Sequence, residues 1–106
     1  MTNLAARHCK PSTTKLSPSD VAKLAGQVQG WQLEADVLVK VFPFKNYYET
    51  MAFVNMVAWI AHREDHHPDM AVSYNKCRVA FSTHSVGGLS ENDFICAAKV
   101  ESALAA

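Results

Sequence analysis

A long apolar segment in the middle of the chain constrains the fold more than any other feature. Residues 51–61 are almost entirely apolar, and the segment follows two capping candidates, Asn46 and Thr50, and extends to about Asp65. Its composition predicts a helix that is apolar on more than one face, which must be deeply buried or shared with another subunit. Because a chain of 106 residues offers little interior to bury it, we predict a homo-oligomer.

Segments with a period of two residues lie on both sides of this helix. Apolar side chains recur at every second position from Trp31 to Val41, which predicts two strands or one bent ribbon. Pro43 ends the run, because proline cannot donate to a central ladder. Residues 70–82 predict a second strand pair, in which Cys77 and Val79 alternate with polar residues.

Two further helices complete the expected architecture. Ser17 and Asp20 form a capping box that predicts a helix ending at Gly30, and Ser90 and Asp93 form a second box that opens a final helix. The order helix-strand-strand-helix-strand-strand-helix favours an α+β domain, a four-stranded antiparallel sheet with three helices on one face. Residues 1–16 show no periodicity and are predicted to be a flexible extension, so that residues 17–106 form a single domain.

Composition and charge exclude several classes of partner and location. The formal net charge is zero, so no long-range field favours nucleic acid or an anionic membrane. No apolar run approaches the roughly 20 residues that span a bilayer, and the N-terminus lacks the apolar core of a signal peptide. Cys9, Cys77 and Cys96 are odd in number and widely spaced, which favours reduced thiols and a cytoplasmic location.

Adjacent histidines at the end of the middle helix are the strongest candidates for chemistry. His66 and His67 precede Pro68, which disfavours the helical region for His67, so the chain turns and both rings can face one cleft. Asp65 can orient or stabilise an imidazolium beside them. The alternative is a polar helix C-terminus in which histidines satisfy the last carbonyl groups.

Other candidates leave alternatives open. His84 follows the second strand pair and precedes two glycines, a suitable place for a functional side chain, although a lone histidine there is more often a plain surface residue. Asp93 is either the carboxylate of a capping box or a group that orients a cleft residue. His62 and His66 have the spacing of two metal ligands on one helical face, but Arg63 opposes a second cation there.

The ordered motifs resemble those of the pterin-4a-carbinolamine dehydratases. The residues that carry the resemblance are His66-His67-Pro68-Asp69, Tyr74, Ser82-Thr83-His84, Gly87-Gly88-Leu89-Ser90 and Asp93. The resemblance implies homodimers or homotetramers with three helices on one side of a four-stranded sheet. It also implies dehydration of 4a-hydroxytetrahydrobiopterin to quinonoid dihydropterin without metal or organic cofactor, which recycles the pterin of aromatic amino-acid hydroxylases.

The resemblance also implies specific residue roles. Its catalytic residues are His66, His67 and His84, its further pterin contacts are Pro68, Thr83, Ser85 and Val86, and its supporting residues are Asp93, Asp65 and Met70. We predict that His67 and His84 transfer protons, that His66 positions the hydroxyl, and that Asp93 supports His84. Met70 stands where many relatives have an aromatic residue, which weakens the expectation for substrate affinity.

Two other function classes remain open on these residues. The first is a non-catalytic protein-binding or assembly module of the same fold, such as a dimerisation or transcriptional cofactor. The second is a metal-dependent enzyme that uses His62 and His66.

Overall fold

A computed structural model describes residues 3–105 and contains one antiparallel sheet with three α-helices. The elements are α1 (Pro18–Ala25), β1 (Gln32–Glu34), β2 (Val37–Pro43), α2 (Tyr47–Glu64), β3 (Asp69–Val72), β4 (Lys76–Phe81) and α3 (Glu91–Ala105). The strand order in the sheet is β1-β2-β4-β3, with every neighbouring pair antiparallel. The predicted α+β class and the order of its elements are therefore confirmed.

Strand register decides which side chains form the core. Leu38 of β2 lies opposite Phe81 of β4, and Phe42 lies opposite Cys77, so these four side chains share one face of the sheet. All four are buried, whereas Val41 on the other face is 49% exposed. The buried face packs against α2 and α3 in one apolar cluster. Val39 and Ala80 on the other face are buried as well, so burial is heavier on the face that packs against the helices without being confined to it.

The first helix is shorter than the sequence predicts. α1 ends at Ala25 and Gly26 is its C-cap, whereas we expected the helix to continue to Gly30. Ser17 caps its start as predicted, with its hydroxyl accepting from the Asp20 amide at 3.2 Å. Val28 lies beyond the helix and is buried in the core. The early end follows from the glycine, which costs a helix about 1 kcal/mol relative to alanine and leaves the following turn free to place Val28 inward.

The middle helix forms as predicted and exposes part of its apolar surface. Asn46 caps α2 by accepting from the Glu49 amide at 2.9 Å. Phe53 and Val57 are buried, while Tyr48 is 81% exposed and Trp59 is 60% exposed. The single chain therefore buries one side of this helix and leaves large aromatic side chains on the other.

The N-terminal residues 3–16, here named the N-terminal strap, make specific contacts with the domain. Leu4 is buried in the core, and the Cys9 amide donates to Glu64 Oε1 at 2.7 Å. The Asn92 side chain bonds both backbone groups of Lys10, accepting from its amide at 3.0 Å and donating to its carbonyl at 2.8 Å. The division at residue 17 stays a prediction, but these bonds give the strap defined partners on α2 and α3.

Glu64 is the main anchor of the strap on α2. Burial raises the pKa of its carboxyl, but the hydrogen bonds from Cys9 and His8 and the charge of Lys99 outweigh burial and hold the pKa below its usual value. Lys99 Nζ lies 3.7 Å from the carboxylate and His8 Nδ1 lies 3.1 Å from it.

Among residues 3–105, no helix combines the length and apolarity needed to cross a bilayer.

Candidate active site

Three chain segments converge where α2 ends, β4 ends and α3 begins. The segments after α2 and β4 line an open cleft of two adjoining cavities, of about 370 Å³ and about 190 Å³, which share Asp65, His66 and His67. The larger cavity is bounded further by His62, Pro68 and Met70, and the smaller one by residues 82–85. The structure thus brings the histidine pair and His84 to one cleft, although they are separated by the whole of β3 and β4.

Backbone geometry at the end of α2 turns the histidine pair into the cleft. Asp65 caps the helix in the left-handed conformation, with φ of 51° and ψ of 43°. The amide of His66 then donates back to the Ala61 carbonyl at 3.1 Å, which closes the helix end. Pro68 cannot extend the helix, and β3 starts immediately afterwards at Asp69. This sharp exit is the turn that the sequence predicts from Pro68.

His66 is the most constrained of the three cleft histidines. Its Nε2 lies 2.6 Å from Asp93 Oδ1, and its ring stacks on Phe81 with centroids 6.1 Å apart and planes 10° from parallel. The His66 side chain is 12% exposed and the Asp93 side chain is fully buried. A buried carboxylate on one side and an aromatic face on the other leave this imidazole little rotational freedom.

Hydrogen bonds around Asp93 run in one direction. The Asn92 amide donates to Ser90 Oγ at 3.2 Å, and Thr83 Oγ1 donates to Asp93 Oδ2 at 2.8 Å. Because the Thr83 proton is used on the carboxylate, the 2.7 Å contact between the two hydroxyls has Ser90 as donor and Thr83 as acceptor. The Ser90 amide also donates to Asp93 Oδ2, at 2.9 Å.

Because Asp93 accepts all of these hydrogen bonds, it also determines the tautomer of the His66 ring. An ionised carboxylate only accepts hydrogen bonds, so the proton in the 2.6 Å contact belongs to His66 Nε2. When the ring is neutral, Nδ1 therefore carries the lone pair. Asp93 thus links the end of β4, the start of α3 and the histidine segment, and it assigns a tautomer to one cleft histidine.

One predicted contact differs in the structure. We expected Asp93 to support His84, but within residues 3–105 the carboxylate bonds His66, Thr83 and Ser90. Half of the predicted capping box is present, since the Ser90 amide donates to Asp93 Oδ2. Ser90 Oγ accepts from the Asn92 amide instead of the Asp93 amide, which donates to the Ser90 carbonyl at 3.2 Å. The spacing of a capping box predicts only the local bonds of Asp93, and the partner at the other oxygen depends on how α2 packs on α3.

His67 and His84 are less restrained than His66. Both are exposed, and His84 begins a short 3₁₀ turn (His84–Val86) that Gly87 closes with a φ of 68°. Ser85 lines the smaller cavity, whereas Val86, the next residue in the turn, lines neither cavity. Ser82 also lines the smaller cavity, although no role was assigned to it. Its place in the motif Ser82-Thr83-His84 was the available signal.

Thr83 borders the smaller cavity and also belongs to the hydrogen-bond network of Asp93. Its side chain is buried, and its hydroxyl donates to Asp93 and accepts from Ser90. Its contact with the pterin stays a prediction. His62 lies at the rim of the larger cavity with its ring 5.4 Å from that of Trp59. Since His66 Nε2 already bonds Asp93, a metal held by His62 and His66 would have to use His66 Nδ1.

Comparisons with known proteins agree on one family. The sequence model described as pterin 4 alpha carbinolamine dehydratase matches residues 14–103. A protein of Nitrosospira multiformis, provisionally named a pterin-4-alpha-carbinolamine dehydratase, is 56% identical, over 93% of this chain and 90% of its own. A relative from Nitrosomonas eutropha with the same provisional name is 57% identical, over 95% of this chain and 96% of its own.

Solved structures agree with this result. A transcriptional coactivator/pterin dehydratase from Brucella melitensis aligns with a TM-score of 0.80 and 28% identity, over 84% of this chain and 97% of its own. A pterin dehydratase-like protein identified as a RuBisCO assembly factor in the alpha-carboxysome aligns with a TM-score of 0.56 and 23% identity, over 68% of this chain and 83% of its own, and that likeness shows the fold alone. The resemblance found in the sequence is confirmed, and the chain belongs to the pterin-4-alpha-carbinolamine dehydratase family.

Proposed function

We propose that this protein is a 4a-hydroxytetrahydrobiopterin dehydratase, a hydro-lyase that uses histidine acid/base catalysis. The observation that carries the proposal is the convergence of His66, His67 and His84 on one cleft, with His66 held by a buried carboxylate. Three imidazoles on one wall suit a reaction in which one proton is delivered and another is removed near neutral pH.

The reaction requires two proton transfers and one bond cleavage. The C4a–O bond breaks and its oxygen takes a proton, so that water leaves. The N5–H proton is removed, and its electron pair forms the N5=C4a double bond of the quinonoid dihydropterin. An acid and a base on the protein each contribute about 10²–10⁴-fold to such a step.

The restraint of each histidine suggests its role. His66 is fixed and presents Nδ1 as an acceptor, which suits it to accept a hydrogen bond from the 4a-hydroxyl and position that group. His67 and His84 are exposed and less restrained, which suits them to exchange protons with the substrate and with water. We propose that these two divide the acid and base roles, and that Asp93 acts through His66 as a positioning residue.

A stopped-flow assay on a synthetic 4a-hydroxytetrahydropterin tests this proposal. We expect His67→Ala and His84→Ala each to lower kcat by about 10²–10⁴-fold. His8→Gln is the matched control, because His8 is a histidine outside the cleft that contacts Glu64. We expect wild-type turnover to survive a chelator, and near-wild-type turnover of His67→Ala would contradict the assignment.

We further propose that a second copy of the chain covers the exposed face of α2. Tyr48, Ala52 and Trp59 follow one another at helical spacing and are all exposed in the single chain. A homodimer or homotetramer would bury this surface. Sedimentation should then give a multiple of the 11.7 kDa chain mass, and Trp59→Glu should lower it while Lys23→Glu on α1 does not. A monomeric wild-type protein would contradict this part of the proposal.

The pterin substrate implies a place in recycling. We propose that the product is reduced for reuse by an aromatic amino-acid hydroxylase, and that the reaction takes place in the cytoplasm, where the three free thiols would stay reduced.

A second candidate function is a protein-assembly module of the same fold. The exposed aromatic surface on α2 favours it, and the Brucella melitensis relative is described as a transcriptional coactivator as well as a pterin dehydratase. The two functions separate experimentally, because Tyr48→Glu, at the end of α2 away from the cleft, would weaken assembly without lowering turnover per chain, whereas His67→Ala would do the reverse.

A further inference from the structure

Two cysteines that the dehydratase chemistry does not use lie in contact beneath the cleft. Cys9 Sγ of the N-terminal strap lies 3.5 Å from Cys96 Sγ of α3, although the residues are 87 positions apart in the chain. Cys96 is buried and Cys9 is partly exposed, so one thiol of the pair is accessible to a reagent and the other is not. Cys96 Sγ also lies 3.9 Å from the His66 carbonyl, next to the histidine segment.

Backbone contacts hold Cys9 at this place. Its amide donates to Glu64, and both backbone groups of the next residue, Lys10, bond the Asn92 side chain. Cys96 lies one helical turn after Asn92 on α3, so the group that holds the strap and the thiol that meets it belong to the same face. The strap has no regular secondary structure at Cys9, and a disulfide needs the sulfurs to approach from 3.5 Å to about 2.05 Å.

We propose that Cys9 and Cys96 form a redox-active dithiol site, which low-molecular-weight disulfides oxidise to an intramolecular disulfide that locks the N-terminal strap onto α3. In the first step the Cys9 thiolate attacks the reagent RSSR, forms a Cys9–S–S–R mixed disulfide and releases one RSH. In the second, the Cys96 thiolate attacks the Cys9 sulfur and releases the other RSH. Two thiols lose two electrons and two protons in total, and the reagent is reduced to two thiols.

The environment of Cys96 makes the second step the slow one. In the dithiol, the hydrogen bond with Cys9, burial and the charges of Glu64 and Asp93 all raise the pKa of the Cys96 thiol. Once Cys9 carries the mixed disulfide its hydrogen bond is lost, but burial and the two carboxylates still disfavour the Cys96 thiolate. Closure should therefore accelerate as the pH rises, because only the thiolate attacks. Such slow closure is compatible with reduced thiols under ordinary conditions and oxidation under stress.

The cross-link would stabilise the whole domain. It would close a loop of nearly the full chain length, and loops of that size restrict the unfolded ensemble most. We expect the oxidised protein to unfold at a temperature at least about 5 °C above the reduced protein, and the difference to disappear with a reductant.

Oxidation of the native protein with glutathione disulfide tests the proposal without any measurement of turnover. We expect intact mass spectrometry to show the loss of about two hydrogen masses, and peptide mapping to show Cys9 joined to Cys96. Cys9→Ser should abolish both the mass change and the rise in unfolding temperature, and it alters a partly exposed residue, so folding should persist. Cys77→Ala is the matched control and should form the same cross-link, since Cys77 is a buried residue of β4 and belongs to neither the strap nor α3.

Several results would overturn the proposal. They are an unmodified wild-type protein, a mixed disulfide at Cys9 that never closes at elevated pH, a cross-link that contains Cys77, and a disulfide between two chains. Each of them would leave the proposed dehydratase activity untouched, so the two proposals fail separately.

Discussion

The hydroxyl of Thr83 should contribute strongly to stability, although the residue lies beside a cleft. Its side chain is buried, donates to the buried Asp93 carboxylate at 2.8 Å and accepts from Ser90 at 2.7 Å. Thr83→Val keeps the shape and removes both bonds. A hydrogen bond to a charged group contributes about 1.5–3 kcal/mol, and a buried hydroxyl left without an acceptor costs about 1–3 kcal/mol.

These two effects belong to one network and do not simply add. We therefore expect Thr83→Val to lower the free energy of unfolding by about 2–4 kcal/mol, which corresponds to a fall in Tm of at least about 8 °C. Thr83→Ser is the matched control: it keeps the hydroxyl and removes one buried methyl group, which costs about 1 kcal/mol. kcat should also fall in the valine variant, because the carboxylate that orients His66 loses a donor.

Urea unfolding at one fixed protein concentration measures the difference, since the concentration matters if the chain assembles. Trp31 is buried in the core and its fluorescence reports the transition. Thr83→Val and Thr83→Ser with stabilities within about 0.5 kcal/mol of each other would refute the reasoning. In that case the bonds of Thr83 to Asp93 and Ser90 would not be net stabilising.

Two further predictions concern the C-terminal end of α2. The pKa of Glu64 is lowered in the folded state, so its charge stabilises the protein above the unfolded pKa near 4.5, and this stability is lost as the pH falls through the folded pKa. Glu64→Gln should therefore be less stable than wild type at about pH 7. The difference in urea midpoint between the two proteins should become smaller towards about pH 4, and a difference that does not change with pH would contradict this. Asp65 has a φ of 51°, which glycine adopts without strain and alanine does not. Asp65→Gly should therefore be more stable than Asp65→Ala by about 1 kcal/mol in thermal unfolding. Equal stabilities of the two variants would show that the left-handed cap carries no strain.

Local signals predicted most of the fold. Capping residues at Ser17, Asn46 and Ser90 start the three helices, because a side-chain oxygen at that position satisfies an amide that the helix leaves free. Alternation predicted the strands β1, β2 and β4, because a sheet that buries one face more than the other favours it. The predicted end of α1 was wrong by several residues. The apolar side chains at helical spacing continue to Val28, so they do not show that the helix ends before Gly26.

The candidate site was predicted in its parts and not in its connections. The motif around His66, His67 and His84 was readable, because local chemistry and a family resemblance both depend on residue type and spacing. Asp93 bonds both His66 and Thr83, and these contacts depend on the packing of α2 against α3 and β4. The spacing of these residues along the chain does not give the distance between them in the fold.

The sequence by itself determined the class of fold, the family and the residue types that meet at the cleft, since periodicity, caps and ordered motifs are properties of neighbouring residues. Only the tertiary structure decided which groups touch across long separations in the chain. The contacts between His66 and Asp93 and between Cys9 and Cys96 join residues 27 and 87 positions apart. Such contacts arise where helices and strap pack on a shared core, and the geometry of that packing assigns a tautomer to one histidine and a partner to one thiol.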